Sequence, residues 1–506
     1  MFSLILLNIC LIIFVYNFYK YAFYRPKNFP PGPPKIPLFG SYIFILLLNR
    51  NHVHLAVNKI CKFYKSNIIG MHLGDNPLIV VNDNDSVKKA LNHRDFDGRP
   101  DILMGRLRDP KLDLHGIFFM EGAVWQEQRR FTLRYLRDFG FGRRYEFLEK
   151  EIQIQISQFI DLVKNGPKYP HEEKHVKNDM IRLPVGIAPP FGNCFLAVLL
   201  NDPIPRKHMT DLCKATEDAI EFQRNTDEYG KLYSLIPSIA KLFPKQSGYQ
   251  VARETSLSLH SFFKNLIDEQ IRTFDENHQR HFIDMYIAKM RNFEETYSYD
   301  QLILTCIDFA FPALSALSTT MTFLIQKICH DPEIQYKIQS EIDQVVGEGR
   351  APTLDDRIDL PYTEACIREI LRYESLTPSG IPHKATADTK FLGYDIPKGT
   401  FIITGLDAAG HDTSAWDNPY AFKPERFLDS NGKVCLRNDI SLPFGAGKRL
   451  CAGETFARNM LFLFAASFLQ AFSVRMPDNV KPIPFNDNST GLIRSTRNHW
   501  VRVTLR

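Results

Sequence analysis

A mainly α-helical chain with a small β-rich part is what this sequence predicts, and three observations predict it. Segments with helical periodicity recur along most of the length, the longest over residues 299–328, and a further apolar run over 454–472 reads as a buried helix. Alternating segments rich in branched residues are short and bounded by turn residues, at 68–82 and 391–400. The first nineteen residues carry no charged side chain, which sets a nearly apolar N-terminal run apart from the rest. With 506 residues, 44% hydrophobic and 24% charged, the chain can bury a sizeable core. A net charge of +5 is too mild to argue for a nucleic-acid partner. Nine cysteines include no CxxC pair, which points away from a disulfide framework or zinc site and toward a reducing compartment.

The N-terminal run is about long enough to span a bilayer. No basic segment precedes it and no small-x-small cleavage site follows; Tyr19, Tyr21, Phe23 and Tyr24 follow instead, so an uncleaved anchor over 1–24 is expected rather than a signal peptide. Lys20, Arg25 and Lys27 lie after the span, and the positive-inside rule then puts the body in the cytosol. Residues 25–40, with Phe29-Pro-Pro-Gly-Pro-Pro34, are too proline-rich for helix or central strand and predict a stiff hinge. Residues 41–506 form the globular body.

Within the body, 68–82 predicts a hairpin turning at Asp75-Asn-Pro77, and 101–122 a loop. Trp125-Gln-Glu-Gln-Arg129 follows on a helix, where Trp125 and Arg129 share a face. Arg130, Arg134 and Arg137 recur on a neighbouring face, with Arg143 and Arg144 beyond. Such a cluster is either a solvated face or a docking patch for an acidic partner. A helix over 146–163 and a polar loop over 164–178 come next. The apolar stretch 233–244 can be read from its composition as core.

The central helix carries Pro312, which removes its own N–H donor and crowds the carbonyl of Asp308, so a kink is expected there. Asp331-Pro-Glu333 starts another helix. Glu369-Ile-Leu-Arg372 sits on a third, and Phe422-Lys-Pro-Glu-Arg-Phe427 follows, with Ile381-Pro-His383 and a strand-turn-strand pattern between.

The segment Phe444-Gly-Ala-Gly-Lys-Arg-Leu-Cys-Ala-Gly453 precedes the apolar run 454–472. Gly445 and Gly447 permit positive φ, so the backbone can curl and aim N–H groups at the Cys451 sulfur. The helix N-terminus beyond adds a positive dipole end, and both lower a thiol pKa. Gly453 lets that helix approach a flat cofactor closely, and Arg449 can pair with a cofactor carboxylate. A buried free cysteine after a glycine-rich turn is the plainer reading of Cys451 and its glycines alone.

The full pattern F-x-x-G-x-R-x-C-x-G resembles the haem-binding loop of the cytochrome P450 family. The other landmarks follow in order over nearly the whole chain: anchor, proline hinge, W-x-x-x-R, long central helix, E-x-x-R and P-E-R-F. The animal microsomal branch, including its insect members, is the part of the family it resembles most. The resemblance implies a P450 fold over 41–506 with haem b clamped between the central helix and the helix after Cys451. It implies Cys451 as the axial thiolate, in a loop that includes Phe444 and Gly445, and Arg449, Trp125, Arg129 and His383 as holders of the propionates. Arg426 would complete a buried ion pair with Glu369 and Arg372 that supports the loop. The implied activity is a monooxygenase that inserts one atom of O2 into a lipophilic hormone-like lipid, steroid or xenobiotic. Electrons would come from NADPH through a membrane reductase, at the endoplasmic reticulum. Members of the family usually carry an acid and a threonine on the central helix for proton delivery; here Ser315 and Ala316 stand at those places. The expectation is that the kink at Pro312 makes the dioxygen or water pocket, with Ser315 or Ser318 holding the water. The missing pair keeps a hydroperoxide isomerase or dehydratase of the same fold open as an alternative, beside a haem-binding carrier or sensor without turnover.

Overall fold

The computed structural model describes residues 2–226, 228–229, 231–292, 295–484 and 489–506; Met1 of the expected anchor and the remaining positions of the expected body lie outside the described residues. Helices make up most of the fold, with two four-stranded sheets and two short hairpins beside them. Helix Phe2–Ala22 stands clear of the body; its stretch Ile5–Ala22 is long and apolar enough to cross a membrane and almost wholly exposed. Residues 25–40 do not form a free spacer. Proline carbonyls there serve as acceptors: the Gly70 N–H donates to Pro31 O at 2.8 Å, and Arg25 Nη1 donates to Pro30 O at 2.8 Å. Gly32 fits only as glycine, since a Cβ there would lie 2.1 Å from Gly70 O. The segment thus covers an otherwise open edge of strand Ile68–Leu73.

That strand pairs with Asn76–Val81, then Phe401–Thr404 and His383–Lys384. The hairpin turns one residue earlier than expected. Leu73 pairs with Asn76, and Pro77 already lies in the second strand opposite His72, because Gly74 takes φ +58° and closes the turn with Asp75.

The main core draws on most of the helices. Helix Glu454–Ala471 leaves the glycine loop and is buried from Met460 to Leu469. Phe159 of helix Glu146–Asn165 packs 5.5 Å from its Phe464, ring to ring. Helix Ala188–Leu200 is buried at every position, and an all-round apolar sequence offers no amphipathic period to read. The central helix runs as Tyr299–Phe311, a π-turn Pro312–Ala316, and Leu317–His330. Ser298 caps its start by accepting the Gln301 N–H. Pro312 has no N–H to give the preceding turn, so the helix widens, and Leu317 reaches back five residues to donate to Pro312 O. The expected kink is this π-turn.

Helix Pro361–Tyr373 supplies Glu369 and Arg372, both fully buried. Arg372 Nε and Nη2 donate to the two Glu369 oxygens at 2.7 and 2.8 Å, and Arg426 Nε donates to the same carboxylate at 3.2 Å. Arg372 Nη1 also binds Gly410 O at 2.6 Å and Pro419 O at 2.9 Å, which ties the coil before the cysteine loop to the helix.

Candidate functional site

A cavity lies between the cysteine loop and the central helix. One wall is Phe444, Gly445, Cys451 and Gly453; the other is Phe309, Pro312, Ala313, Ala316 and Thr320. Gly445 and Gly447 take φ +73° and +68°, and the Cys451 N–H donates to Phe444 O at 2.9 Å, which closes the curl. Gly447 brings the loop against helix Asn84–Leu91, where a Cβ would lie 2.2 Å from Leu91 O. Gly453 packs against the Phe141 ring, 3.0 Å from where its Cβ would stand, so its close approach is to an aromatic side chain.

The Cys451 sulfur is accessible from the cavity yet enclosed by protein at longer range. Burial pushes its thiol above the ordinary value, while the Gly453 N–H and the Arg129 charge act the other way. The expected lowering by the loop is therefore outweighed by desolvation in the protein alone. A bound metal cation reverses that balance, since a coordinated thiol is deprotonated outright.

Three guanidiniums line one side of the cavity: Arg99, Arg129 and Arg449. Arg449 donates to Asp97 O and Met120 O, both at 2.9 Å, and stacks 3.4 Å over the Trp125 ring. Arg129 donates to Leu450 O at 2.7 Å, and Arg99 to Phe118 O at 3.2 Å and Pro382 O at 3.0 Å. Each is pinned by carbonyls, and among the described residues none of the three forms an ion pair. Burial pulls Arg449 down to about 9 and lowers Arg129 and Arg99, with the mutual repulsion of the cluster adding to the shift of Arg99 and Arg449. Trp125 sits behind Arg449, off the cavity wall, and its Nε1–H is buried without a partner. An anionic group is what these donors lack.

His383 lines the same cavity, but its Nδ1 lies 2.6 Å from Phe96 O. A carbonyl only accepts, so Nδ1 carries the hydrogen, and burial holds the ring neutral with Nε2 as an acceptor. Arg99, which sequence reasoning missed, stands nearby as the cation; Gly98-Arg99-Pro100 offers no pattern that marks it.

On the central helix the structure separates the expected residues. Pro312 lines the cavity; Ser315 and Ser318 do not. Ser315 Oγ donates to Phe311 O at 2.7 Å and accepts from Gln223 Nε2 at 2.5 Å, and Ser318 Oγ donates to Ser315 O at 3.0 Å. Helical spacing explains the correction: Pro312, Ala316 and Thr320 repeat every four residues on the cavity face, and Ser315 falls about 100° round the helix from Ala316. Thr320 is the alcohol that reaches the wall, its Oγ1 donating to Ala316 O at 3.0 Å. Asp308, the one carboxylate among the described residues lining this cavity, is bound by Arg108 and by the N–H groups of Ile117 and Phe118 at 2.6 and 2.8 Å.

A soft sulfur on one wall, an apolar opposite wall and three carbonyl-pinned arginines at the edge, with an orphaned indole N–H behind one of them, fit a flat metal macrocycle bearing carboxylates. The residues present therefore suit haem.

The comparisons with known proteins agree with that fit. The family model of cytochrome P450 matches residues 30–502. Human cytochrome P450 2J2 is 32% identical over 465 residues, 90% of this chain and 88% of the relative. Human cytochrome P450 2C8 is 31% identical over 481 residues, covering 93% and 92%. The farnesoate epoxidase of Bombyx mori is 29% identical over 500 residues, covering 98% and 97%. With its cysteine loop, buried E-x-x-R pair and kinked central helix in place along nearly the full length of these relatives, the chain belongs to the cytochrome P450 family of haem-thiolate monooxygenases.

Proposed function

We propose that this protein oxygenates a lipophilic small molecule, a hormone-like lipid, steroid or xenobiotic, with NADPH-derived electrons delivered by a membrane reductase at the endoplasmic reticulum. The observation that carries the reading is the accessible sulfur of Cys451 facing an apolar cavity beneath the π-turn. Haem, when bound, supplies the activation of dioxygen. The chain's own residues do the rest. Cys451 ligates the iron; Arg449, Arg129, Trp125 and Arg99 hold the propionates, with His383 accepting from Arg99 or from a protonated carboxyl. Phe309, Ala313 and Leu317 exclude water and press an apolar substrate toward the reacting face.

The helix Phe2–Ala22 anchors the body, residues 25–40 connect it, and 41–506 form the catalytic domain, facing the cytosol. Exposed Leu242 and Phe243, beside buried Tyr233 and Ala240, make the stretch 233–244 half core and half surface, which suits a lid touching the bilayer. The arginines after Trp125 form the reductase patch, though Arg130 pairs with Glu127, and Arg144 with Glu149 and Asp355, so only part of that charge is offered to a partner. One relative is by its name an epoxidase of farnesoate, an isoprenoid acid, which supports an unsaturated lipid as one substrate class.

Ala316 at the cavity wall favours one second reading, a hydroperoxide isomerase or dehydratase, which takes up no protons from solvent. Membranes carrying the protein and a reductase should transfer isotopically labelled oxygen from O2 into a lipophilic extract when NADPH is added. Consumption of a lipid hydroperoxide without such transfer would establish the second reading. Tight ligand binding without either reaction would make the protein a carrier or sensor.

A further inference from the structure

Glu228 takes no part in the cavity wall, yet it is buried, on the segment that follows helix Thr210–Arg224. The next residue, Tyr229, belongs to an apolar cluster with Ile45, Val57 and Ile403. A carboxylate in such a bed is costly unless it is paired. Both of its oxygens are engaged. Oε1 accepts the His54 N–H at 3.2 Å and lies 2.6 Å from His54 Nδ1, and Oε2 accepts from Ser379 Oγ.

His54 stands in the first turn of helix Val53–Tyr64, and the side chain of His52 before it does not cap that helix. Glu228 supplies the cap from 174 residues away and meets the positive end of the helix dipole. Burial works against a charge on the His54 ring, but Glu228, with Asp407 behind it, outweighs burial and raises the group above its ordinary value. The pair is therefore ionic. Replacing a buried ion pair by apolar groups is often neutral or stabilising, and the best-attested use of such a pair is to fix one arrangement of the parts around it. The part fixed here is Ser379.

Ser379 belongs to the turn 377–380, closed by the Gly380 N–H donating to Thr377 O at 2.9 Å, with Gly380 at φ +59°. Thr377, Gly380 and Ile381 line the cavity; Ser379 does not, and its hydroxyl is directed away from the wall to Glu228. Backbone ties hold the base of the turn, where the Arg494 N–H donates to Leu376 O at 2.7 Å and the Asp407 N–H to Pro378 O at 3.0 Å. At the tip, the bond from Ser379 to Glu228 draws the turn outward.

We propose that Glu228, clasped to His54, holds the turn 377–380 back from the cavity and so makes room for the wide part of a lipophilic ligand. Glu228 is thus a positioning residue that sets specificity through Ser379. The inference deepens the reading of the cavity as a haem-bound substrate site and rests on it. With the clasp intact, Thr377 and Ile381 keep their places in the wall. With it broken, the tip relaxes toward the cavity, and a bulky ligand has to push it back at the expense of its own affinity. A slim ligand is indifferent to the change.

The test uses the full-length holoenzyme and two azoles that ligate haem iron, clotrimazole as the bulky probe and imidazole as the slim one, each titrated by its shift of the Soret band. Ser379→Ala and Glu228→Gln, with haem content and carbon-monoxide spectrum as in the parent, should weaken clotrimazole by about fivefold, within what one hydrogen bond contributes, and leave imidazole as it is. Ser379→Thr, which keeps the hydroxyl, should bind clotrimazole as the parent does. Parental affinity for clotrimazole in both weakened variants, equal losses for the two azoles, or a Ser379→Thr protein as weak as Ser379→Ala would overturn the clasp. Should Glu228→Gln fail to retain haem, Ser379→Ala leaves the ion pair intact and decides alone. A parent that gave no azole shift would instead sink the haem-site reading, and the clasp with it.

Discussion

Trp125 keeps one buried N–H without a protein acceptor, and that single atom sets an expectation for cofactor retention. Trp125→Phe preserves the ring under Arg449 and removes only the donor. Haem should dissociate about tenfold faster, since a hydrogen bond to a charged group contributes about 1.5 kcal/mol or more. Transfer of haem to a scavenging apoprotein measures the rate, and an unchanged rate would remove Trp125 from the site. Glu374 makes a second case at this scale. Its carboxyl is fully enclosed, and Arg494 Nη1 lies 3.0 Å from Oε2 but out of line for a hydrogen bond. Burial therefore wins over attraction and raises the group from 4.5 to about 7. The folded state holds this proton more tightly than the unfolded chain does. Its contribution to stability is complete below the unfolded value of 4.5 and is lost as pH rises through about 7. Glu374→Gln should abolish that fall, gaining up to about 3 kcal/mol over the parent at about pH 8. Urea midpoints at about pH 5 and about pH 8 would show the difference. That Cys451, Arg449 and Arg129 come together at one cavity is legible in the sequence because short-range pattern carries them. Arg99 is not, because its place at the cavity depends on which carbonyls distant loops bring near.

The π-turn is the element on which the chemistry of the cavity turns. Pro312→Ala restores an N–H to the helix and lets the widened turn relax. A proline within a helix costs about 3 kcal/mol relative to alanine, so the variant should gain about 1–3 kcal/mol of stability. It should lose coupling, because the wall formed by Pro312, Ala313 and Ala316 would shift; an unchanged ratio of product to peroxide would show that the kink is only a packing device. Pro312 announces the kink in the sequence, since the missing donor is a property of the residue itself. That Ser315 and Ser318 both turn away from the cavity was not legible. Widening by one residue alters the helical phase, and the partners that claim Ser315 and Ser318 lie on another helix and on the helix's own backbone. The hairpin at Gly74 shows the same limit: proline marks a turn in general, while a glycine at positive φ fixes where it closes.

At the scale of the whole molecule, the order of elements along the chain matches the resemblance from anchor to cysteine loop, and the buried helix Ala188–Leu200 is what composition alone concealed. The tie between anchor and body was also hidden, because prolines read as a spacer until their carbonyls are seen to serve strand Ile68–Leu73. Deleting residues 2–22 should release the protein from membranes and leave its carbon-monoxide spectrum intact. Gly32→Val should instead lower the unfolding free energy by about 2 kcal/mol through its collision with Gly70, read as a shift in urea midpoint. The docked segment also makes a lever of the anchor. Lys35 donates its N–H to Ala22 O at 2.9 Å and Tyr21 donates to Asp75 at 2.8 Å, so the last turn of the N-terminal helix is fastened once to the docked segment and once to the hairpin turn of the sheet. With that joint stiff, a change in the thickness of a bilayer holding the proposed anchor would tilt the entire body instead of bending a tether. On the proposed lid, the depth at which the exposed Leu242 and Phe243 would meet lipid is then set by the thickness of the membrane that receives the protein.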